Sequence, residues 1–154
     1  MAAVHTYRAT CSWRGSTGVG YDAYDRTHVM AAPPAQAELT VASDPAFGGD
    51  PSLLNPEQLL VLAASSCQLL SFLAVAARAR VDVVAYEDDA VAVMPEDDPP
   101  TRITAIELRP QITIEGTHPL EKVERLVRIA HQECYIANTL RADIKVTPKI
   151  TFVG

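Results

Sequence analysis

The chain has 154 residues, of which 48% are hydrophobic and 21% are charged, and its formal net charge is −6 at pH 7. This balance is typical of a globular domain that builds its own core, and we expect one domain over residues 1–154. The negative charge, with a pI near 5.1, argues against a nucleic-acid partner and against an anionic membrane surface.

The amino-terminal residues lack the apolar core that a signal peptide needs. The longest apolar stretch, Leu59 to Val75, is interrupted by serines and a glutamine and is short for a transmembrane helix. We therefore expect a cytoplasmic protein with no membrane association. In that compartment the three cysteines would be thiols at rest, and any disulfide would be transient and catalytic or sensing.

The first part of the chain predicts strands separated by turns. Aromatic residues and loose alternation predict strands over residues 5–13 and 21–29, and a third strand over 38–41. Glycine, proline, aspartate and serine then predict a loop over residues 42–52.

The sequence around residues 55–57 carries the signals of a helix start, and a long helix is predicted to follow. Asn55 is a favoured N-cap, Pro56 fits the first helical position, and Glu57 suits the positive end of the helix dipole. The pattern continues to about Arg80 and is apolar on nearly every side, which predicts a helix buried on several faces.

The rest of the chain alternates between strands and helices. Strands are predicted over residues 81–86, 90–94, 102–115 and 144–152. Pro119 opens a second helix that ends near Cys134, and a short helical turn is predicted over residues 137–140. Strands, helix, strands, helix and strand in this order predict the α+β class.

Two cysteines lie in the helical segments, and two interpretations of them stay open. Cys67 lies deep in the first helix and Cys134 ends the second, and neither belongs to a CxxC motif. Thiols that only folding brings together suggest redox chemistry. Free cysteines are also often buried as small apolar residues. Cys11 is predicted to be a strand residue without a role.

Several stretches together resemble the OsmC/Ohr family of thiol-dependent peroxidases, the osmotically inducible and organic hydroperoxide resistance proteins. They are the Asn55-Pro56-Glu57-Gln58-Leu59-Leu60 segment with the small residues leading to Cys67, residues 130–138 around Cys134, Tyr24 to His28, and Ser43 to Asp50. The stretches Tyr24 to His28 and Ser43 to Asp50 resemble an OsmC-like subgroup of this family. The resemblance implies an intertwined homodimer with curved antiparallel sheets around long central helices.

The resemblance also implies roles for four residues. Cys67 matches the peroxidatic cysteine, Cys134 the resolving cysteine, and Glu57 the acidic residue of the Asn-Pro-Glu segment. Arg26 is the best match for the arginine that supports the thiolate, with Arg14 as the alternative. The chain departs from the subgroup at Gly48, where arginine is common, and at Gln68, where an aromatic residue or histidine is common.

The implied chemistry is coherent in physical terms. Peroxide attack needs a thiolate, which a guanidinium stabilises and a carboxylate can orient. Glu57 and Cys67 are separated by about 15 Å along one helix. We therefore expect a site at a dimer interface, where Glu57 of one chain would lie beside Cys67 of the other. Apolar neighbours of Cys67, namely Leu69, Leu70 and Phe72, would favour an apolar peroxide tail.

The predicted function is reduction of organic hydroperoxides and hydrogen peroxide through a Cys67 sulfenic acid and a Cys67–Cys134 disulfide. The expected partners are a second copy of the chain, a small-molecule peroxide and a dithiol reductant, with no cofactor and no metal. The alternatives are a non-catalytic protein that binds a small apolar or electrophilic ligand, and a thiol redox sensor.

Overall fold

The computed structural model describes all 154 residues and has the α+β architecture that the sequence predicts. The chain forms two compact units, residues 1–59 and residues 60–154. The single domain expected over residues 1–154 stays a prediction.

The first unit is built on a three-stranded antiparallel sheet. Its strands are β1 (Thr10–Ser12), β2 (His28–Ala31) and β3 (Glu38–Val41), in that spatial order, and two 3₁₀ helices cover Thr17–Val19 and Pro45–Phe47. The strands predicted over residues 5–13 and 21–29 are therefore wrong in their extent. Residues 21–24 form turns and residues 25–27 are irregular, because local backbone and side-chain hydrogen bonds replace strand pairing there.

The long helix α1 (Pro56–Arg78) begins where the sequence predicts. The Gln58 amide donates to Asn55 Oδ1 at 2.8 Å, and the Asn55 amide donates to Gln58 Oε1 at 3.0 Å, so the two residues form a reciprocal capping box. The helix ends at Arg78, and two residues later Arg80 adopts the left-handed conformation (φ 56°), with the Val81 amide donating to the Ala76 carbonyl. By length and composition alone α1 could also cross a membrane, as many core helices of soluble proteins could.

The second unit contains two further sheets and two further helices. Strands β4 (Asp82–Asp88), β7 (Pro110–Glu115) and β9 (Lys149–Val153) form one sheet in the order β4-β7-β9. Strands β5 (Val91–Val93), β6 (Ala105–Leu108) and β8 (Asp143–Val146) form the other in the order β5-β6-β8. The helices are α2 (Leu120–Glu133) and α3 (Tyr135–Thr139).

Two predicted strands are each divided between the two sheets. The segment 102–115 breaks at Arg109, because Pro110 has no amide hydrogen and the Arg109 amide donates to Asp88 Oδ1 at 2.7 Å instead. The segment 144–152 breaks at Thr147 and Pro148. The pairs β6–β8 and β7–β9 are parallel, so these sheets are mixed and not purely antiparallel as expected.

The largest core cluster fills the space between α1, α2 and the β4-β7-β9 sheet. Its buried members include Phe72, Ile112, Ile114, Val127 and Ala130. In contrast, the expectation that α1 is buried on several sides fails for the single chain, because only one face of it is buried. This arrangement places the middle of α1 against the carboxyl end of α2, where the two helical cysteines lie.

Candidate functional site

Cys67 lies in the middle of α1 and is partly buried. The next residue, Gln68, faces the core and is 1% exposed. Cys67 therefore lies at the edge of the buried face of α1.

Cys134 connects the two shorter helices. It is the C-cap of α2 and the N-cap of α3, and its backbone is extended (φ −72°, ψ 109°). Its amide donates to the His131 carbonyl at 3.2 Å, and its Sγ accepts from the Ala137 amide at 3.5 Å. The residue is 1% exposed, so its sulfur points into the protein.

The Cys67 thiol lies close enough to Cys134 to affect the pKa of Cys134, and both thiols are free. Burial, with a smaller contribution from the neighbouring Cys67 thiol, raises the pKa of Cys134 to about 11, and the Ala137 amide opposes this shift. Cys134 is therefore a neutral thiol at pH 7.

Gln68 connects the two helices next to this thiol pair. Its Nε2 donates to the Val127 carbonyl at 3.4 Å, while its Oε1 is buried without a partner. The departure from the resembled subgroup at this position therefore places a buried amide between α1 and α2. Phe72, which we expected to line a substrate cleft, is fully buried in the core and cannot do so, whereas Leu70 is exposed.

Arg26 lies in the turns before β2 and not on a strand. Its guanidinium carbon is 4.0 Å from the Tyr24 ring centroid and 4.9 Å from that of Tyr21. The guanidinium also donates to the Tyr24 carbonyl at 2.9 Å and to the Tyr21 carbonyl at 2.7 Å. Two aromatic faces and two carbonyl oxygens thus hold this cation, without a carboxylate.

Gly48 packs directly against this arginine. It lies in the left-handed conformation (φ 81°) at the end of the second 3₁₀ helix. A Cβ atom at this position would approach Arg26 Cζ to 2.9 Å, which is closer than real contacts allow. The glycine that replaces the subgroup's arginine therefore leaves room for Arg26.

A cavity of about 340 Å³ opens beside Arg26 in the first unit. It is lined by Cys11, Trp13, Thr17, Tyr24, Arg26 and His28. The sequence analysis gave Cys11 no role, yet the structure places this exposed thiol on the wall of the same cavity as Arg26.

The comparisons with known proteins agree with this architecture. A family model described as OsmC-like protein matches residues 49–149. The chain belongs to the OsmC-like protein family. The resemblance noted from the sequence is thereby confirmed.

Solved structures resemble this OsmC-like protein over almost their whole length. An OsmC-like protein of unknown function from Vibrio cholerae is 27% identical with a TM-score of 0.82, covering 96% of this chain and 100% of that one. An organic hydroperoxide resistance protein from Elizabethkingia anophelis is 20% identical with a TM-score of 0.72, covering 99% and 100%. Another from Legionella pneumophila is 19% identical with a TM-score of 0.69, covering 97% and 99%. No curated protein matches the chain.

In this OsmC-like protein the structure brings only part of the predicted set together. Cys67 and Cys134 meet within one chain. Glu57 lies in the first turn of α1, and neither it nor Arg26 belongs to any of the three ion pairs, which are Arg78–Glu133, Arg102–Asp98 and Arg109–Glu107. The expected Glu57–Arg26 pairing is therefore not formed in the single chain.

Three tyrosines, Tyr21, Tyr24 and Tyr86, were not predicted from the sequence. Tyr21 and Tyr24 hold Arg26, and their spacing just before the arginine is the only signal in the sequence. Tyr86 packs against the core cluster with its hydroxyl buried, and nothing in its own segment indicates this, because its burial depends on how β4 packs against the helices.

Proposed function

We propose that this protein is a thiol-dependent peroxidase that reduces organic hydroperoxides and hydrogen peroxide, with Cys67 as the attacking and Cys134 as the resolving cysteine. The observation that carries the proposal is the proximity of the two cysteines, of which Cys67 is partly exposed and Cys134 is buried. The partly exposed Cys67 is the better placed to meet the peroxide, and the buried Cys134 near it can close the disulfide.

The family and its named members support this direction. Structures similar to this chain include organic hydroperoxide resistance proteins from three bacteria: Elizabethkingia anophelis, Legionella pneumophila and Bacillus subtilis. Their names describe protection against the class of substrate that we propose here. Proteins of this family are soluble, and a cytoplasmic location for this member stays a prediction.

The proposed catalytic cycle has three steps, and atoms and electrons balance in each. The Cys67 thiolate attacks the terminal peroxide oxygen, the O–O bond breaks, and the alkoxide takes a proton, leaving a Cys67 sulfenic acid and an alcohol. Cys134 then attacks the Cys67 sulfur, and its proton leaves with the sulfenic hydroxyl as water. A dithiol reductant finally reduces the disulfide and is oxidised to its own disulfide.

Arg26 and Glu57 are the proposed supporting residues. The ring and carbonyl contacts of Arg26 fix its guanidinium, and a fixed cation can stabilise both a thiolate and a polarised peroxide. Because Glu57 and Cys67 are far apart on one helix, we propose that Glu57 acts on Cys67 of a second copy in a homodimer.

Peptide mapping after one equivalent of tert-butyl hydroperoxide tests the proposal. The expected product is an intrachain Cys67–Cys134 disulfide, together with steady peroxide consumption when dithiothreitol is supplied. Binding of the peroxide without consumption would instead favour a ligand-binding protein. A disulfide to Cys11, or only a sulfinic acid at Cys67, would contradict the two-cysteine cycle.

A further inference from the structure

A second cavity, of about 510 Å³, opens in the second unit between α2 and the connection from β8 to β9. The end of β8 and its connection to β9 contribute Val146 and Pro148 to its wall. The other lining residues form one stripe along α2, at helical spacing: Glu124, Val127, Arg128, His131 and Gln132. A volume of this size suits a small molecule, since ligand sites are typically about 300–1,000 Å³.

The apolar part of the cavity wall is held by the protein core. Val127 is buried and belongs to the largest core cluster, and Val146 packs against that cluster. Core packing therefore fixes the positions of these two side chains before any ligand arrives. The apolar part of a ligand would be buried against them, which is favourable because apolar surface leaves water.

Two opposite charges lie on the polar side of the cavity. Glu124 and Arg128 are one helical turn apart, a spacing at which such side chains often pair. Neither of them belongs to any of the three ion pairs of the structure. Both charges are therefore available to a ligand that enters the cavity.

A second pair on the same helix shows what distinguishes the first. Glu121 and Arg125 have the same spacing, belong to no ion pair, and are exposed on α2. They do not line the cavity. The lack of pairing alone therefore does not define a site, and the distinctive feature of Glu124 and Arg128 is that they share a cavity with a fixed apolar wall.

We propose that this cavity binds a small apolar amino acid. The ammonium group of the ligand donates to the Glu124 carboxylate, and its carboxylate accepts from the Arg128 guanidinium. The apolar side chain of the ligand lies on Val127 and Val146. A simple anion would meet the like charge of Glu124 and a simple cation that of Arg128, so a ligand that carries both charges fits best. No cysteine lines the cavity, and the inference does not rest on the proposed peroxidase function.

Titration of the isotope-labelled protein with L-leucine, followed by amide NMR shifts, tests the proposal. The shifts should change mainly over residues 124–132 and 146–148. N-acetyl-L-leucine lacks the ammonium group and L-leucinamide lacks the carboxylate. Each analogue should bind about tenfold more weakly or worse, the usual effect of losing a hydrogen bond between charged groups.

Two substitutions connect each charge of the ligand to its partner. Glu124→Gln should weaken L-leucine binding by about tenfold but should not weaken binding of N-acetyl-L-leucine, which has no ammonium group to lose. Arg128→Gln should weaken L-leucine binding to a similar extent but should not weaken binding of L-leucinamide. The matched controls, Glu121→Gln and Arg125→Gln, should bind L-leucine like the wild type.

Three results would overturn the proposal. The first is the absence of shift changes at the cavity with millimolar L-leucine. The second is equal binding of L-leucine and both analogues to the wild type, a comparison that needs no variant to fold. The third is equal weakening in the control variants, which would indicate a general effect of net charge. Because no peroxide is used, each of these failures leaves the proposed peroxidase function standing.

Discussion

At the residue scale, the two helical cysteines differ in exposure, and this difference predicts opposite outcomes for two substitutions. Cys67→Ser should abolish peroxide reduction, because no other thiol is placed to attack and be resolved. Cys134→Ser should leave one fast turnover, because only the resolving thiol is lost. Single-turnover stopped flow followed by steady-state assay measures both, and equal residual activity in the two variants would reject the assignment.

Arg26 is held by its own segment, so its removal should change reactivity more than folding. Arg26→Ala should slow peroxide attack on Cys67 by about tenfold, because a cation near a thiolate typically contributes one or more powers of ten. Glu57→Ala should act in the same direction but more weakly, since a carboxylate orients the cation and does not supply the charge.

Arg14→Ala is the matched control for the Arg26 prediction, since both arginines lie in the first unit. The second-order rate constant for tert-butyl hydroperoxide should be nearly unchanged in this variant. If Arg14→Ala slows the reaction and Arg26→Ala does not, the assignment of Arg26 is wrong.

At the element scale, the second 3₁₀ helix and its glycine C-cap control the space around Arg26. Gly48→Ala should lower the free energy of unfolding by about 1–2 kcal/mol, because alanine is strained in the left-handed conformation. It should also slow peroxide attack, because the new Cβ would displace the guanidinium. Denaturant unfolding and stopped flow measure the two effects.

Gly20→Ala provides the control for backbone strain alone. Gly20 also has a positive φ (100°), but a Cβ atom there meets nothing within 4 Å. This variant should lose stability without slowing peroxide attack. An equal loss of rate in both variants would show that strain, and not displacement of Arg26, is responsible.

At the scale of the whole molecule, one face of α1 is apolar and uncovered in the single chain. Leu62, Leu70 and Leu73 are 52%, 64% and 38% exposed and lie on one side of the helix. Because large exposed apolar patches mark interfaces, we predict an obligate homodimer in which a second copy covers this face. Sedimentation velocity at micromolar concentration should show the dimer.

Leu70→Glu tests this face directly. A carboxylate on the covered surface should convert the protein to monomer or prevent folding, because burying an unpaired charge is costly. The control is Leu120→Glu, at an apolar position that is 49% exposed on α2, and it should remain dimeric. A folded wild-type monomer at these concentrations would refute the prediction.

The buried Cys134 thiol also makes stability depend on pH. Its pKa is about 11 in the folded protein against 9.0 for an ordinary cysteine thiol, so the unfolded chain releases this proton first as pH rises. The free energy of unfolding should therefore fall between about pH 9 and pH 11, by about 2–3 kcal/mol from this group.

Denaturant titrations of the wild type and of Cys134→Ala between pH 8 and pH 11 isolate the cysteine contribution. The free energy of unfolding of Cys134→Ala should fall less steeply with rising pH than that of the wild type. It should still fall above pH 10, because the pKa of Tyr86 is also raised in the folded protein and this destabilises it in the same way. Identical slopes in the two proteins would contradict the assignment to Cys134.

The sequence by itself determined the elements whose signals are local. Asn55, Pro56 and Gln58 define the start of α1 through contacts within a few residues, and α2 shows its buried face as helical periodicity. The α+β class and the family also follow from such patterns. Cys67 and Cys134 could be chosen as candidates from the sequence, because Cys67 lies within one predicted helix, Cys134 ends another, and both segments resemble family motifs.

Only the tertiary structure decided which of these parts meet. The divisions of the strands at Arg109 and Thr147 follow from pairing with different neighbours, since each half joins a separate sheet. The proximity of Cys67 to Cys134 depends on packing between residues far apart in sequence. Contacts of this kind produce no recognisable periodicity or spacing in the sequence, because the free energy that stabilises them comes from burial between separate elements.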